Sequence, residues 1–296
     1  MDIFTIKNEH LSVGIHPLGA NLWSIKDRED IEYLWQGDVK TWPDKSLNIF
    51  PYVARLTQGK YTLAGQEYRM DIHGFIKDSI LIVKEQSEAK LVLELTDSEE
   101  TRKQYPYHFR YQICYELIDH EIRIAYHVKN LDEKMMYFGV GGHPGFNVPL
   151  ENGLTFEDYR LEFASVVKAK RVGMSDDCFV LEEDTEFNLQ GGKILPLTHD
   201  LFDDDAIILK QMDRQVTLLS DKGKKQVKVT YPDMPYLGIW HWPQSDAAYV
   251  CIEPWSSLPS RKNVIEALET QDNLLVLAPG KEYVNTWSIE IEESFS

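Results

Sequence analysis

The stretch FRYQICYELIDHEIRIAYHVK, residues 109–129, decides the fold class of this chain. In residues 109–117 an aromatic or aliphatic side chain occupies every odd position, and the positions between are mostly polar. After a break at Asp119-His120, residues 121–129 repeat the alternation with apolar side chains at the even positions. Period-two alternation is typical of strands with one buried face, and two such runs joined by a polar pair predict a hairpin.

The same pattern recurs along the rest of the chain. QVTLLS (215–220) and QVKVTY (226–231) flank a turn that contains glycine, and KLVLEL (90–95) and TWSIEIE (286–292) add further strands. Helical periodicity is confined to short pieces. We therefore predict an all-β protein built from stacked antiparallel sheets. Because no linker rich in glycine, proline or serine divides the 296 residues, we predict a single domain over residues 1–296.

Composition excludes several classes of partner. The formal net charge of −17 repels nucleic acid and anionic membranes, so we expect neither as a partner. The three cysteines are widely scattered and form no metal-binding or disulfide pattern. No secretory signal and no apolar run of about 20 residues is visible. We expect a cytoplasmic protein, and the sequence leaves its oligomeric state open.

One histidine has unusual neighbours in YFGVGGHPGFNVPL, residues 137–150. Glycines precede His143 and Pro144-Gly145 follow it. Glycine within a strand marks a bend or a close approach by a ligand, and proline stiffens the backbone. The segment is either a tight turn in which the histidine is incidental or a prepared site around one imidazole.

A carboxylate follows a strand-like run in AYVCIEPWSS, residues 248–257. Glu253 either points to solvent on the alternating face or is buried for a reason, because a buried carboxylate is costly unless it is paired. Catalytic bases are commonly found in such settings. Pro254 indicates that the strand ends at Glu253, at the edge of a cleft.

Other polar groups lie in apolar or glycine-flanked segments. His73 adjoins glycine in DIHGFIKD (71–78), Arg55 is a lone guanidinium in NIFPYVARL (48–56), and FDDDAIIL (202–209) contains three adjacent aspartates. Their plain interpretations are a structural histidine, a structural ion pair and a solvated loop. The P-loop, dinucleotide-binding, nucleophile-elbow and zinc-protease motifs are absent. Histidine, carboxylates and arginine among many aromatic side chains suit a carbohydrate cleft.

Taken together, these motifs resemble those of the galactose mutarotase (aldose 1-epimerase) superfamily, and in particular its LacX-like branch. The resemblance extends from NEHLSVGIHPLGANLWSI (8–25) to GKEYVNTWSIEI (280–291) and includes NIFPYVARL, HGF, GGHPGFNVPL and CIEPW in order. It implies a β supersandwich of large antiparallel sheets. The chain has HPGFN where the galactose-specific enzymes carry an aromatic residue after the proline, so the sugar identity stays open.

The resemblance also implies a role for each matching residue. Glu253 would be the base and His143 the acid, while His73 would contact the ring oxygen or a hydroxyl. Arg55 would hold a sugar hydroxyl. The family's sugar-binding aspartate would be Asp205 or Asp204, which the spacing does not separate.

The implied reaction interconverts the α and β anomers of a free hexose, a small-molecule monosaccharide. It requires a base and an acid, which we expect on opposite sides of the sugar, with no metal and no redox cofactor. A nearby carboxylate would favour the protonated form of His143.

Two alternatives remain open. A hexose-6-phosphate mutarotase would need extra positive charge, for which Lys60, Lys77 and Arg261 are the candidates. A non-catalytic carbohydrate-binding or regulatory protein would use the same groups without turnover. A glycoside hydrolase is less favoured, because it needs two paired carboxylates and only Glu253 lies in a persuasive setting.

Overall fold

The computed structural model describes residues 2–293. Its strands, in chain order, are β1 (Phe4–Lys7), β2 (Leu11–His16), β3 (Asn21–Asp27), β4 (Ser46–Ile49), β5 (Lys60–Leu63), β6 (Gln66–Arg69), β7 (Ile82–Gln86), β8 (Lys90–Thr96), β9 (Phe109–Ile118), β10 (Glu121–Asn130), β11 (Met136–Phe138), β12 (Gly141–Asn147), β13 (Tyr159–Phe163), β14 (Lys170–Arg171), β15 (Thr185–Glu186), β16 (Ile194–Pro196), β17 (Ile207–Lys210), β18 (Gln215–Ser220), β19 (Lys225–Thr230), β20 (Tyr236–Trp240), β21 (Tyr249–Trp255), β22 (Glu266–Ala267), β23 (Leu275–Leu277) and β24 (Glu282–Glu293). Helical structure in this part of the chain consists of α1 (Glu99–Gln104) and short 3₁₀ turns at Thr57–Gly59, Ile76–Asp78, Phe156–Asp158 and His199–Phe202.

Two large antiparallel sheets dominate the fold. The nine-stranded sheet has the order β16-β13-β18-β19-β24-β10-β9-β8-β7, and the seven-stranded sheet has the order β15-β14-β17-β20-β21-β12-β4. They meet through side chains such as Tyr126 of β10, whose hydroxyl donates to the carbonyl of Gly141 on β12 at 3.0 Å. The prediction of an all-β supersandwich of large antiparallel sheets is confirmed.

The hairpin predicted from residues 109–129 consists of β9 and β10. Register pairs Leu117 with Ile122 and Phe109 with Asn130. Odd residues of β9 and even residues of β10 are buried, as the alternation requires. The hydrophobic pattern therefore sets which face of this hairpin joins the core.

The two strands that carry the site are neighbours in the seven-stranded sheet. On β12 and β21 the even-numbered residues face the core between the large sheets, where Phe146, Val250 and Ile252 join the main hydrophobic cluster. The odd-numbered residues face the other way, and Cys251 and Trp255 belong to separate, smaller clusters. Because side chains alternate along a strand, His143 and Glu253 point to this second face together.

The strand β21 differs from the sequence expectation at its end. It continues through Pro254, which pairs with Leu237 of β20, to Trp255. The expectation that the strand ends at Glu253 is wrong, because proline lacks only one donor and a strand accepts it where the ladder does not need that donor. Glu253 consequently lies inside a strand, where it pairs with Gly238 of β20.

Gly142 makes close packing between the two sheets possible. A Cβ atom at this position would overlap Cζ2 of Trp287 on β24. We expect Gly142→Ala to lower the free energy of unfolding by about 1–3 kcal/mol, because the indole would have to move within a close-packed core. Chemical denaturation measures this change.

Gly14→Ala provides the matched control for that substitution. Gly14 also lies in a strand, but the atom nearest to its added methyl would be Cγ2 of Ile3, at 3.2 Å, and Ile3 is 43% exposed. Equal losses for the two variants would contradict the packing argument.

No helix within residues 2–293 combines the length and the apolar character needed to cross a bilayer.

Candidate active site

His143 and Glu253 lie opposite each other on adjacent strands. Register pairs Gly141 with Trp255 and Gly145 with Cys251, which places His143 and Glu253 midway between these pairs. Nε2 of His143 is 3.3 Å from Oε2 of Glu253. The two residues are 110 positions apart in sequence, and strand pairing alone brings them together.

Both side chains are almost completely removed from solvent. His143 is 8% exposed and Glu253 is 2% exposed. Within residues 2–293, Nδ1 of His143 and Oε2 of Glu253 have no hydrogen-bond partner. A buried polar group without a partner is costly, and both of these atoms belong to residues that line a cavity from which a ligand could supply the partner.

Burial shifts the two pKa values in opposite directions. It lowers the pKa of His143 to about 4, which outweighs the upward effect of the Asp205 charge. It raises the pKa of Glu253 well above its ordinary value, and Asp205 raises it further. The expectation that the carboxylate would favour protonated His143 is not met, because desolvation disfavours charge on both groups. Burial therefore favours the neutral imidazole and the protonated carboxyl.

The placement of the pair also differs from the expected one. We expected the acid and the base on opposite sides of a sugar, but a separation of 3.3 Å leaves no room for a ring between them. They stand side by side, and both of them line the same cavity. Two oxygens attached to one sugar carbon could face such a pair simultaneously.

His73 completes an imidazole pair. Its ring centroid is 5.3 Å from that of His143, edge to face. The backbone N–H of Ala54 donates to Nδ1 of His73 at 3.2 Å, so the ring proton is assigned to Nε2. Burial lowers the pKa of His73 well below its ordinary value, so the ring is neutral. The His73 ring is therefore held in one orientation and offers one hydrogen-bond donor, the N–H at Nε2.

Arg55 follows Ala54 directly and lines the same cavity. Its side chain is exposed, and within residues 2–293 it forms no ion pair. The structural ion pair that was the plain interpretation is thus not found in the described part. The guanidinium is therefore available to a ligand in the cavity.

Asp204 and Asp205 both line the cavity, whereas Asp203 does not. Asp205 is half-buried, with φ at 72°, and its Oδ1 accepts the N–H of Ala206 at 2.8 Å. The thiol of Cys178 donates to Oδ2 of Asp205 at 2.9 Å. Asp204 is exposed. Hydrogen bonds therefore fix the position of the Asp205 carboxylate, which is also less exposed than that of Asp204.

Aromatic residues form much of the wall. The cavity measures about 610 Å³, a volume suited to a small molecule. The indole of Trp42 stacks on the His143 ring at 4.9 Å, and Trp240 meets it edge-on at 5.7 Å. Trp23 and Trp255 also line the cavity.

The sequence argument did not assign several lining residues. Trp42 lies in a loop without periodicity, and Cys178 was considered only as a scattered thiol. A tryptophan within the loop segment VKTWPDK (39–45) is the one signal that could have identified Trp42. Nothing in the sequence indicates that Cys178 contacts Asp205.

Positive charge near the site is limited. Lys77 lines the cavity and pairs with Asp78 at 2.5 Å. The other two candidates for phosphate binding, Lys60 and Arg261, are outside the cavity lining and pair with Glu67 and Glu266. The lining carboxylates are Asp44, Asp78, Asp204, Asp205 and Glu253, so acidic groups outnumber Arg55 and Lys77.

Comparison with known proteins agrees with this architecture. The family model for aldose 1-epimerase matches residues 2–290. The plasmid-encoded protein LacX of Lactococcus lactis is 32% identical over 287 residues, covering 93% of this chain and 94% of LacX.

Solved structures show the same fold. A galactose mutarotase related enzyme from Lactobacillus acidophilus superposes with a TM-score of 0.93 at 32% identity, covering 99% of this chain and 100% of that one. A galactose mutarotase-like protein from Lactobacillus casei gives 0.93 at 29% identity, covering 98% and 100%. Since the family model spans nearly the whole chain, this protein belongs to the aldose 1-epimerase family.

Proposed function

We propose that this protein is an aldose 1-epimerase, or mutarotase, that interconverts the α and β anomers of a free hexose. The observation that carries the proposal is the contact of 3.3 Å between Nε2 of His143 and Oε2 of Glu253 inside a ligand-sized cavity. Membership of the family supports a carbohydrate epimerase.

The reaction needs one proton removed and one delivered. The carboxylate of Glu253 takes the proton of the C1 hydroxyl, and a carbonyl forms as the bond from C1 to the ring oxygen breaks. The electron pair goes to the ring oxygen, which takes a proton from Nε2 of His143. Rotation about the C1–C2 bond and the reverse steps close the ring on the other face. Both reacting oxygens are attached to C1, which is why an acid and a base standing side by side suit this chemistry.

The proton that burial keeps on the carboxyl of Glu253 must move before the first step. Within residues 2–293 no donor is hydrogen-bonded to Oε2 of Glu253, so nothing there stabilises the carboxylate form at this oxygen. A bound sugar supplies a hydroxyl donor to that oxygen, and hydrogen bonding to the charged form favours it. The proton then resides on His143, where it is needed. Substrate binding thus sets the protonation state of the pair.

The remaining polar groups position the sugar. Neutral His73 donates from Nε2 to the ring oxygen or to a hydroxyl. Arg55 and the carboxylates of Asp205 and Asp204 bind hydroxyls around the ring, and the indole faces supply apolar contact for its C–H surfaces.

A polarimetric assay on a panel of free and phosphorylated aldoses tests the proposal. We expect accelerated equilibration of freshly dissolved α-glucose or α-galactose, and a weaker effect on glucose 6-phosphate because acidic groups outnumber basic ones in the cavity. A preference for the phosphate ester would favour the hexose-6-phosphate mutarotase. Binding of a sugar without acceleration would identify a non-catalytic carbohydrate-binding protein.

We further propose that the protein works in the cytoplasm. Cys114, Cys178 and Cys251 are all free thiols. Free thiols are typical of reducing compartments.

The thiol of Cys178 provides a further test of the sugar site. Burial raises its pKa to about 12, with a further contribution from the hydrogen bond to Asp205, so the thiol keeps its proton and donates. Cys178→Ala removes a bond worth about 0.5–1.5 kcal/mol. We expect KM to rise by about two- to tenfold with kcat unchanged, because Asp205 contributes binding rather than chemistry.

Cys178→Ser is the matched control, since serine keeps a donor at the same place. We expect its KM to stay close to that of the unmodified protein in initial-rate measurements. An unchanged KM in Cys178→Ala would show that the thiol does not position Asp205.

A further inference from the structure

A third ligand-bearing side chain lies beside the catalytic pair. Cys251 is two residues before Glu253 on β21 and faces Gly145, which has no side chain. One ligand atom from each of His143, Cys251 and Glu253 lies within 4.8 Å of the other two, and all three residues are buried. The proposed reaction makes no use of the thiol.

The spacing of the nitrogen and the oxygen fits two ligands of a tetrahedral metal. Bonds from Zn²⁺ to nitrogen and oxygen of about 2.0–2.2 Å give an edge of about 3.3–3.5 Å between two ligands of a tetrahedron. Nε2 of His143 and Oε2 of Glu253 are 3.3 Å apart. A nitrogen, sulfur and oxygen donor set suits zinc and cadmium and is a poor match for magnesium or calcium.

Two further observations indicate that a cation could be accommodated here. Among residues 2–293, Oε2 of Glu253 has no hydrogen-bond partner although the residue is only 2% exposed, and Glu253 lines the cavity from which an ion would enter. A metal ion would replace the carboxyl proton and give this oxygen the partner that it lacks.

The second group of possible ligands in residues 2–293 is already filled by a cation of the protein itself. Asp27, Glu29 and Glu293 surround the ammonium of Lys225 at 2.6–2.9 Å. This ion-pair cluster leaves no need for a metal.

We propose that a zinc or cadmium ion binds to Nε2 of His143, Sγ of Cys251 and a carboxylate oxygen of Glu253, and that it inhibits the protein. The metal ion displaces the proton of the Cys251 thiol and the proton of the Glu253 carboxyl, and it binds the lone pair on Nε2 of His143. The cation is an inhibitor and takes no part in the reaction. The inhibition rests on the proposed function, but the binding does not.

Cadmium binding is measured first, because it requires no activity. Adding Cd²⁺ to the full chain is followed through the ultraviolet charge-transfer absorption of a cadmium–thiolate bond. We expect a band that saturates at one ion per chain, that is retained in Cys114→Ala and that is lost in Cys251→Ala. Cys251→Ser, which nearly preserves volume, serves if the alanine variant does not fold.

Calorimetric titration with Zn²⁺ gives the affinity of each variant. Loss of even an outer-shell partner weakens metal binding by about 10- to 100-fold. We therefore expect Cys251→Ala to raise the dissociation constant at least tenfold. An absent cadmium band, or a band that survives in Cys251→Ala, would overturn the assignment.

Inhibition is measured by polarimetry with and without Zn²⁺. Cys251→Ala should keep its basal rate and resist zinc, whereas Cys114→Ala should remain as sensitive as the unmodified protein. Equal sensitivity of Cys251→Ala and the unmodified protein would overturn the proposal. If no sugar is turned over, the proposed function fails while the cadmium measurement still decides the metal site.

Discussion

Glu253→Gln abolishes the acceleration of anomer exchange while the protein stays folded; this is the largest effect that we expect from any single substitution. Glutamine preserves the shape of the side chain but cannot accept the proton of the C1 hydroxyl. General acid–base groups typically contribute about 10²–10⁴ in rate, so kcat should fall by that factor. Polarimetry on freshly dissolved α-glucose or α-galactose measures the loss.

Glu94→Gln is the matched control for this substitution. Glu94 of β8 is also buried, at 7% exposure, but it pairs with Lys84 and Gln112 and does not line the cavity. We expect its activity to be unchanged. Full activity of Glu253→Gln would end the proposed mechanism.

The stability of Glu253→Gln separates lost chemistry from lost folding. Oε2 of Glu253 has no hydrogen-bond partner in the part of the chain that the structure describes, and burial raises the pKa of the carboxyl, so the ionisable side chain lowers the free energy of unfolding near neutral pH. A neutral amide avoids that cost. We expect the variant to melt at or above the temperature of the unmodified protein. A functional group that costs stability is typical of an active site.

The fold could be predicted because its signal is local. Alternation in residues 109–129 and on either side of the turn at 221–225 corresponds to hairpins β9–β10 and β18–β19. Period two also places His143 and Glu253 on one face of their strands. The end of β21 was predicted wrongly, because a single proline was given more weight than the pairing with β20.

The geometry of the site could not be predicted in the same way. The residues that line the cavity come from distant segments, and the register between β12 and β21 sets the distance between His143 and Glu253. Chemically suitable residues could be identified from the sequence. Their placement side by side on neighbouring strands could not. Trp42 and Cys178 were missed because loop residues carry no periodic signal.

His143→Asn is expected to have the second-largest effect, and comparison with His73→Asn defines its origin. Asparagine cannot deliver a proton to the ring oxygen, so kcat should fall by about 10²–10⁴. His73 is a neutral donor fixed by the N–H of Ala54, and asparagine can still donate. We therefore expect His73→Asn mainly to raise KM. Initial rates across a range of sugar concentrations separate the two effects.

The double variant Glu253→Gln/His143→Asn tests whether the pair acts as a unit. Groups that transfer protons in one step give strongly non-additive losses. With Nε2 and Oε2 3.3 Å apart, we expect the double variant to be no slower than the slower single variant. If the losses in activation free energy add up in the double variant, each group acts on the sugar independently. The mechanism in which a proton passes between Glu253 and His143 would then be wrong. A large fall in kcat for His73→Asn would indicate that His73, and not His143, is the acid.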